Sequence, residues 1–161
     1  MIGDSAGGGI TLGSVLKMRD SGIGMPAAVV VFYPNTDLTL KGDTVFTLKD
    51  ADPILNVTAV EDMMAAYADP SDHKIPYASA IYGNFSKGFP STLIQVGTKE
   101  ILFSDSVRFY QALDEAGIPV KLDVYEGMPH VFQGYLSNST ESKVAISKVN
   151  NFLNEYLIKE P

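Results

Sequence analysis

The chain has 161 residues, 45% of them hydrophobic, and a formal net charge of −7 at pH 7; that length fits one globular domain. Lys and Arg are scattered, which excludes a phosphate-binding nucleic-acid surface and a polybasic membrane patch, and no apolar run approaches the ~18 residues of a bilayer span. Cysteine is absent, so disulfides, thiol catalysis and thiolate metal sites are excluded, and with no signal peptide visible the expected location is cytoplasmic.

Met1-Ile2 lead directly into Gly3-Asp4-Ser5-Ala6-Gly7, a Gly-x-Ser-x-Gly pentapeptide. This is the nucleophile-elbow pattern, a serine on a tight turn from strand to helix. The glycines are expected to supply space, because a serine at strained dihedrals leaves no room for a Cβ two residues to either side. The following helix aims free N–H groups at the serine. Gly7 to Arg19 reads as that helix, with Leu12, Val15 and Leu16 on one face and Gly22 beyond its end. Residues 27–33 form a continuous apolar run, Ala-Ala-Val-Val-Val-Phe-Tyr, typical of a parallel strand covered on both faces. Pro34 stops it. Residues 37–90 are irregular, with Pro, Gly and Asp punctuation and one predicted helix from Thr58 to Ala68. Ser91 to Val96 is a second buried strand, Ser104 to Ala116 a helix closed by Gly117, and Val120 to Tyr125 a third strand. Asn138-x-x-Glu141 reads as a capping box. It opens a last helix, to Ile158, with an apolar stripe of Ala145, Val149, Phe152, Leu153 and Tyr156. Alternating strands and helices imply parallel pairing with right-handed crossovers in one unit over residues 1–161. Asn-x-Ser/Thr sequons at Asn56, Asn84 and Asn138 read as helix caps or chance.

A serine hydroxyl attacks only when a base takes its proton. Of the two histidines, His130 lies in a loop between a strand and a helix and is the candidate base, whereas His73, near Asp69, Pro70 and Asp72, reads as a solvated loop residue. Three carboxylates compete to orient the imidazole: Asp37, Glu100 and Asp105, each following a predicted strand. Asp105 also sits where a carboxylate steadies a helix N-terminus. Ser, acid and His in that chain order are what such an elbow requires.

Four stretches, in order, carry a resemblance. They are Gly3-Asp4-Ser5-Ala6-Gly7-Gly8, Tyr33-Pro34-Asn35-Thr36-Asp37-Leu38, Gln95-Val96-Gly97-Thr98-Lys99-Glu100-Ile101-Leu102 and Glu126-Gly127-Met128-Pro129-His130-Val131-Phe132. Together they resemble the nucleophile motif, the segment after the sixth strand, the acid-bearing turn and the histidine turn of the hormone-sensitive-lipase-like esterases. The resemblance implies part of an α/β-hydrolase fold, strands five to eight with crossover helices, the N-terminal strands missing. It implies a serine carboxylic-ester hydrolase with Ser5 as nucleophile, His130 as base and Glu100 as acid. The family usually shows Asp-Pro-Leu where this chain has Glu-Ile-Leu, and Asp105 and Asp37 stay as alternative acids. The Ala6 N–H is the expected oxyanion donor. The His-Gly-Gly-Gly-type loop that supplies the other donors does not occur in these residues.

Further expectations follow from the same resemblance. Small-molecule acyl esters of short to medium chain are the implied substrates, with no metal or organic cofactor and no nucleic-acid partner. Apolar candidates for the acyl pocket in the 37–90 segment are Phe46, Ile54, Leu55, Met63 and Met64. A homodimer contact is expected through Val120–Tyr125 and the helix from Asn138 to Ile158. Without strands one to four, residues 27–33 are expected to form an exposed sheet edge. The alternative is a non-catalytic binding protein, or an inactive fragment, on the same fold.

Overall fold

Three consecutive valines set the architecture. In the computed structural model, which describes residues 1–157, Val29, Val30 and Val31 are fully buried in strand β2 (Ala28–Phe32). Their side chains alternate across the pleat. Val29 and Val31 face Leu12, Val15, Leu16, Ile94, Phe109 and Leu113, while Val30 faces Leu93, Val149 and Phe152. A strand covered on both faces needs helices on both sides, and the chain supplies them. Helices α1 (Ser5–Asp20) and α4 (Phe103–Glu115) cover one face, and α6 (Thr140–Leu157) covers the other. The sheet is wholly parallel, in the order β1 (Ile2–Asp4), β2, β3 (Ser91–Lys99), β4 (Val120–Pro129). Short helices α2 (Thr44–Thr47) and α3 (Val57–Tyr67), with three 3-10 turns, occupy the segment between β2 and β3. Helix α5 (Phe132–Tyr135) follows β4.

The structure corrects several sequence expectations. Residues 27–33 are not a sheet edge. Ile2, Gly3 and Asp4 pair with Val30, Val31 and Phe32, and the Met1 amino group donates to the Ala28 carbonyl at 2.8 Å. Three residues of β1 are enough to cover β2, and the edges are β1 and β4. The first helix starts at Ser5 rather than Gly7, directly after extended Asp4. Strands β3 and β4 run beyond Val96 and Tyr125, because Lys99 still pairs with Pro129 past an irregularity at Gly97. The last helix is capped by Ser139, whose Oγ accepts the Ser142 N–H at 3.1 Å, and not by Asn138; Ile158 lies outside the described residues. Asn56 and Asn84 do act as caps, accepting N–H groups from Ala59 and Ser86. Among the described residues no helix is long and apolar enough to cross a membrane.

Candidate active site

Ser5 is the first residue of α1, directly after β1, with φ at +51°, in the left-handed region that a side-chain-bearing residue rarely adopts. The turn folds so tightly that a Cβ on Gly3 would lie 2.3 Å from the Gly7 carbonyl oxygen and 2.4 Å from Thr11 Oγ1. Gly3 is therefore sterically obligatory. Gly7 is not, since a Cβ there would meet nothing nearer than 3.7 Å; the expectation that both glycines supply space holds for one. Ala6, second in α1, carries an N–H that helix geometry leaves without an intrahelical acceptor.

His130 follows β4 and is buried, held by a sharp turn in which Val131 has φ +58°. Its Nε2 lies 2.8 Å from Ser5 Oγ and its Nδ1 lies 2.7 Å from Glu100 Oε2. Tyr33 packs on the imidazole with ring centroids 4.6 Å apart. Glu100 is wholly buried in the turn after β3, and its other oxygen accepts the Gly97 N–H at 3.1 Å. Burial pushes the Glu100 carboxyl above its ordinary range, while the hydrogen bonds from His130 and Gly97 pull it back. With Glu100 ionised, Nδ1–H donates to it and Nε2 is left to accept the Ser5 proton. Burial, with Asp4 and Glu100 nearby, raises the Tyr33 phenol, so that ring remains a neutral wall.

The competing carboxylates have other partners. Asp105 is buried, and its Oδ2 accepts the N–H groups of Thr36 at 2.9 Å and Asp37 at 3.0 Å. Burial pushes it up to about 7. Asp37 accepts Arg108 Nη2 at 2.9 Å and the Thr39 N–H at 2.9 Å. Burial would raise the Asp37 carboxyl, but the bonds from Thr39 and Arg108 outweigh it and hold the group below its usual range. Both carboxylates organise the loop after β2, and that loop braces the elbow: the Asn35 N–H donates to the Ser5 carbonyl at 3.1 Å. His73 is half-buried, with Nε2 3.2 Å from the Ala68 carbonyl and no part in this cluster.

A cavity of about 140 Å³ opens beside Ser5 and Ala6. Leu55, Met63 and Met64 line it as expected, but Phe46 and Ile54 do not; they are 67% and 43% exposed. Helix α3 presents Val60, Met63, Met64 and Tyr67 to the cavity, the i, i+3, i+4, i+7 set of one helical face. That period was the signal for Val60 and Tyr67. Asn35 and Leu38, from the loop after β2, and Leu102, from the turn after β3, add to the lining, and no local pattern marks them.

A family model described as alpha/beta hydrolase fold matches residues 1–134. An acetyl-hydrolase of Streptomyces hygroscopicus is 34% identical over 153 residues, which are 95% of this chain and 51% of the relative. An esterase of Acinetobacter venetianus is 30% identical over 151 residues, 93% of this chain and 50% of the relative. The crystal structure of an esterase from the bacterial hormone-sensitive lipase family superposes with a TM-score of 0.90 at 32% identity, covering 98% of this chain and 52% of that one. The chain thus spans about half the length of the relatives it matches. With its parallel sheet, crossover helices and serine elbow, it belongs to the alpha/beta hydrolase fold family, among the hormone-sensitive-lipase-like esterases.

Proposed function

We propose that the chain provides the nucleophile, base and acid of a serine carboxylic-ester hydrolase acting on short- to medium-chain acyl esters. One observation carries this reading: an unbroken hydrogen-bonded chain from Ser5 through His130 to Glu100, its serine end opening on an apolar cavity. Ser5 Oγ bonds to the acyl carbon as His130 Nε2 takes the hydroxyl proton. Glu100 holds the ring and stabilises the imidazolium. The carbonyl oxygen, now negative, receives the Ala6 N–H. His130 then hands its proton to the alkoxy oxygen, and the alcohol leaves. Water repeats the sequence on the acyl-enzyme: its proton goes to His130, its oxygen bonds to the acyl carbon, and the proton returns to Ser5 as the acid departs. The names of relatives, acetyl-hydrolase and esterase, support the substrate class.

To the same proposal belong a homodimer through β4 and α6 and a cytoplasmic location. The contact is supported by β4 being an edge strand with Val124 43% exposed, and by Val144 and Ile146 exposed on α6. The location rests on the sequence alone.

The test is a series of p-nitrophenyl esters, acetate through octanoate, with Ser5→Ala as control. Hydrolysis that is lost with Ser5 and declines once the acyl chain outgrows the cavity is the expected result. Equal turnover by Ser5→Ala would overturn the proposal.

A further inference from the structure

Asp52 stands outside the Ser5–His130–Glu100 chain, yet its carboxylate joins two walls of the site. Oδ1 accepts the N–H groups of Ile54 at 2.8 Å and Leu55 at 2.9 Å. Oδ2 accepts the N–H of Ile101 at 2.9 Å. Leu55 lines the cavity, Ile101 directly follows Glu100, and Leu102 is again a cavity wall. The backbone bonds around Asp52 are local: Ala51 and Asp52 both donate to the Leu48 carbonyl. Thr44 adds a second polar tie to the acid turn, its Oγ donating to the Ile101 carbonyl at 2.7 Å. Ile101 and Leu102 also pack in one apolar cluster with Val45, Val60 and Met64, with Leu48 and Leu55 against it. Thr44 starts α2, well before the cavity-lining Leu55. Asp52 is thus the polar link that reaches from the Leu55 wall to the Glu100–Leu102 turn.

We propose that Asp52 is a positioning residue that sets acyl-chain discrimination, holding the Leu55 and Leu102 walls at a fixed separation through one two-sided carboxylate. The proposal rests on the esterase reading above. The chemistry requires a carboxylate rather than an amide. The bonds fall on two different oxygens, and every partner is an N–H donor, so both oxygens must accept. Asparagine retains one acceptor. It can close the local turn onto Ile54 and Leu55, but then it presents an NH₂ to the Ile101 N–H, and that side of the link is lost. Glu100 keeps its own bonds to Gly97 and His130, so the consequence concentrates in how well a chain filling the cavity is held. Such a loss of uniform binding shows in KM more than in kcat.

The comparison that decides is Asp52→Asn against Asp52→Ala, with p-nitrophenyl acetate and hexanoate. The expected result is that kcat/KM for hexanoate falls about tenfold further than for acetate in both variants, mainly through KM. If Asp52→Asn restores the wild-type hexanoate-to-acetate ratio while Asp52→Ala does not, the residue merely closes a local turn and the proposal is overturned. An unchanged ratio in both variants overturns it equally. If the wild-type chain hydrolyses neither ester, the esterase reading fails by itself. NMR titration with hexanamide and acetamide then settles the Asp52 link: preference for hexanamide should fall about tenfold in both variants, and a preserved preference refutes it.

Discussion

Of the three carboxylates buried almost completely among the described residues, Glu100 meets a histidine and Asp37 an arginine at 2.9 Å; Asp105 has neither so close. Burial pushes it up to about 7 from an ordinary value of 3.8, with the negative Asp37 adding to the rise and the Thr36 N–H and Arg108 opposing it. The folded chain therefore keeps a proton that the unfolded chain has released between about pH 4 and 7. Across that window the unfolded state binds fewer protons, so this group lowers stability as pH rises and contributes a level deficit above it. Three pKa units at 1.36 kcal/mol each make that deficit about 4 kcal/mol. Asp105→Asn removes the titration while leaving a carbonyl oxygen to accept from Thr36 and Asp37. The amide NH₂ falls where Oδ1 stands now, an atom with no hydrogen-bond partner among the described residues. Part of the gain is offset, because Arg108 loses a 3.7 Å ion pair while retaining Asp37. Urea unfolding followed by circular dichroism at pH 4, 6 and 8 measures the difference between the two proteins. Near-equality at pH 4 should widen to a few kcal/mol in favour of Asp105→Asn at pH 8. If the variant is instead the less stable protein at pH 8, Asp105 is bound as a stabilising carboxylate and the reasoning is refuted.

The remaining predictions address the site, its elbow and the assembly. Ser5→Ala and His130→Ala should each abolish nearly all ester hydrolysis, with the double variant little worse, because such groups act as a unit. Glu100→Gln should lose less than either but far more than Asp105→Asn; steady-state rates in the reverse order would assign the acid role to Asp105. Gly3→Ala forces a Cβ to within 2.3 Å of backbone and should cost at least about 3 kcal/mol or prevent folding. Gly7→Ala, in helical backbone with open space, should be neutral or stabilise by up to about 1 kcal/mol in the same denaturation assay. Sedimentation at tens of micromolar should show a dimer through β4 and α6; a strict monomer counts against that contact.

What was legible in the sequence was whatever a short stretch decides alone. The valine run announces a strand covered on both faces, and the serine pentapeptide announces an elbow. With only two histidines in the chain, the base was nearly determined. The acid was different, because Asp37, Glu100 and Asp105 all follow strands and local pattern cannot rank them. What separates them is which turn ends within reach of His130, and that depends on the parallel register of β3 and β4. The cavity divides along the same line: the α3 face follows from its period, whereas Asn35, Leu38 and Leu102 meet only through the fold. Two misreadings were local. Asn138 and Ser139 are adjacent cap-forming residues, and only backbone geometry selects the second. The bare edge at β2 was expected from the lack of strands one to four, and a three-residue strand such as β1 carries no readable period that would have shown it covering β2.

Backbone strain ties these pieces together. Among the described residues, four that are not glycine have positive φ: Ser5, Tyr33, Leu40 and Val131. Three of them touch the candidate site: Ser5 itself, Tyr33 packed on the imidazole, and Val131 directly after His130. Each such conformation costs on the order of 1–3 kcal/mol and persists only where its surroundings over-determine it. The clamps are visible at all three. The Ser5 carbonyl accepts the Asn35 N–H, the Tyr33 N–H donates to the Gln95 carbonyl at 2.7 Å, and the Val131 carbonyl accepts from Gly134 and Tyr135. The partners come from the β2 loop, from β3 and from α5, elements fixed by the buried sheet and its helices rather than by the site. The scaffold therefore holds three costly turns in place so that serine, imidazole and carboxylate meet without any of them having to move. A backbone free to relax at Ser5 or Val131 would dissolve the 2.8 Å and 2.7 Å contacts on which the proposed chemistry depends.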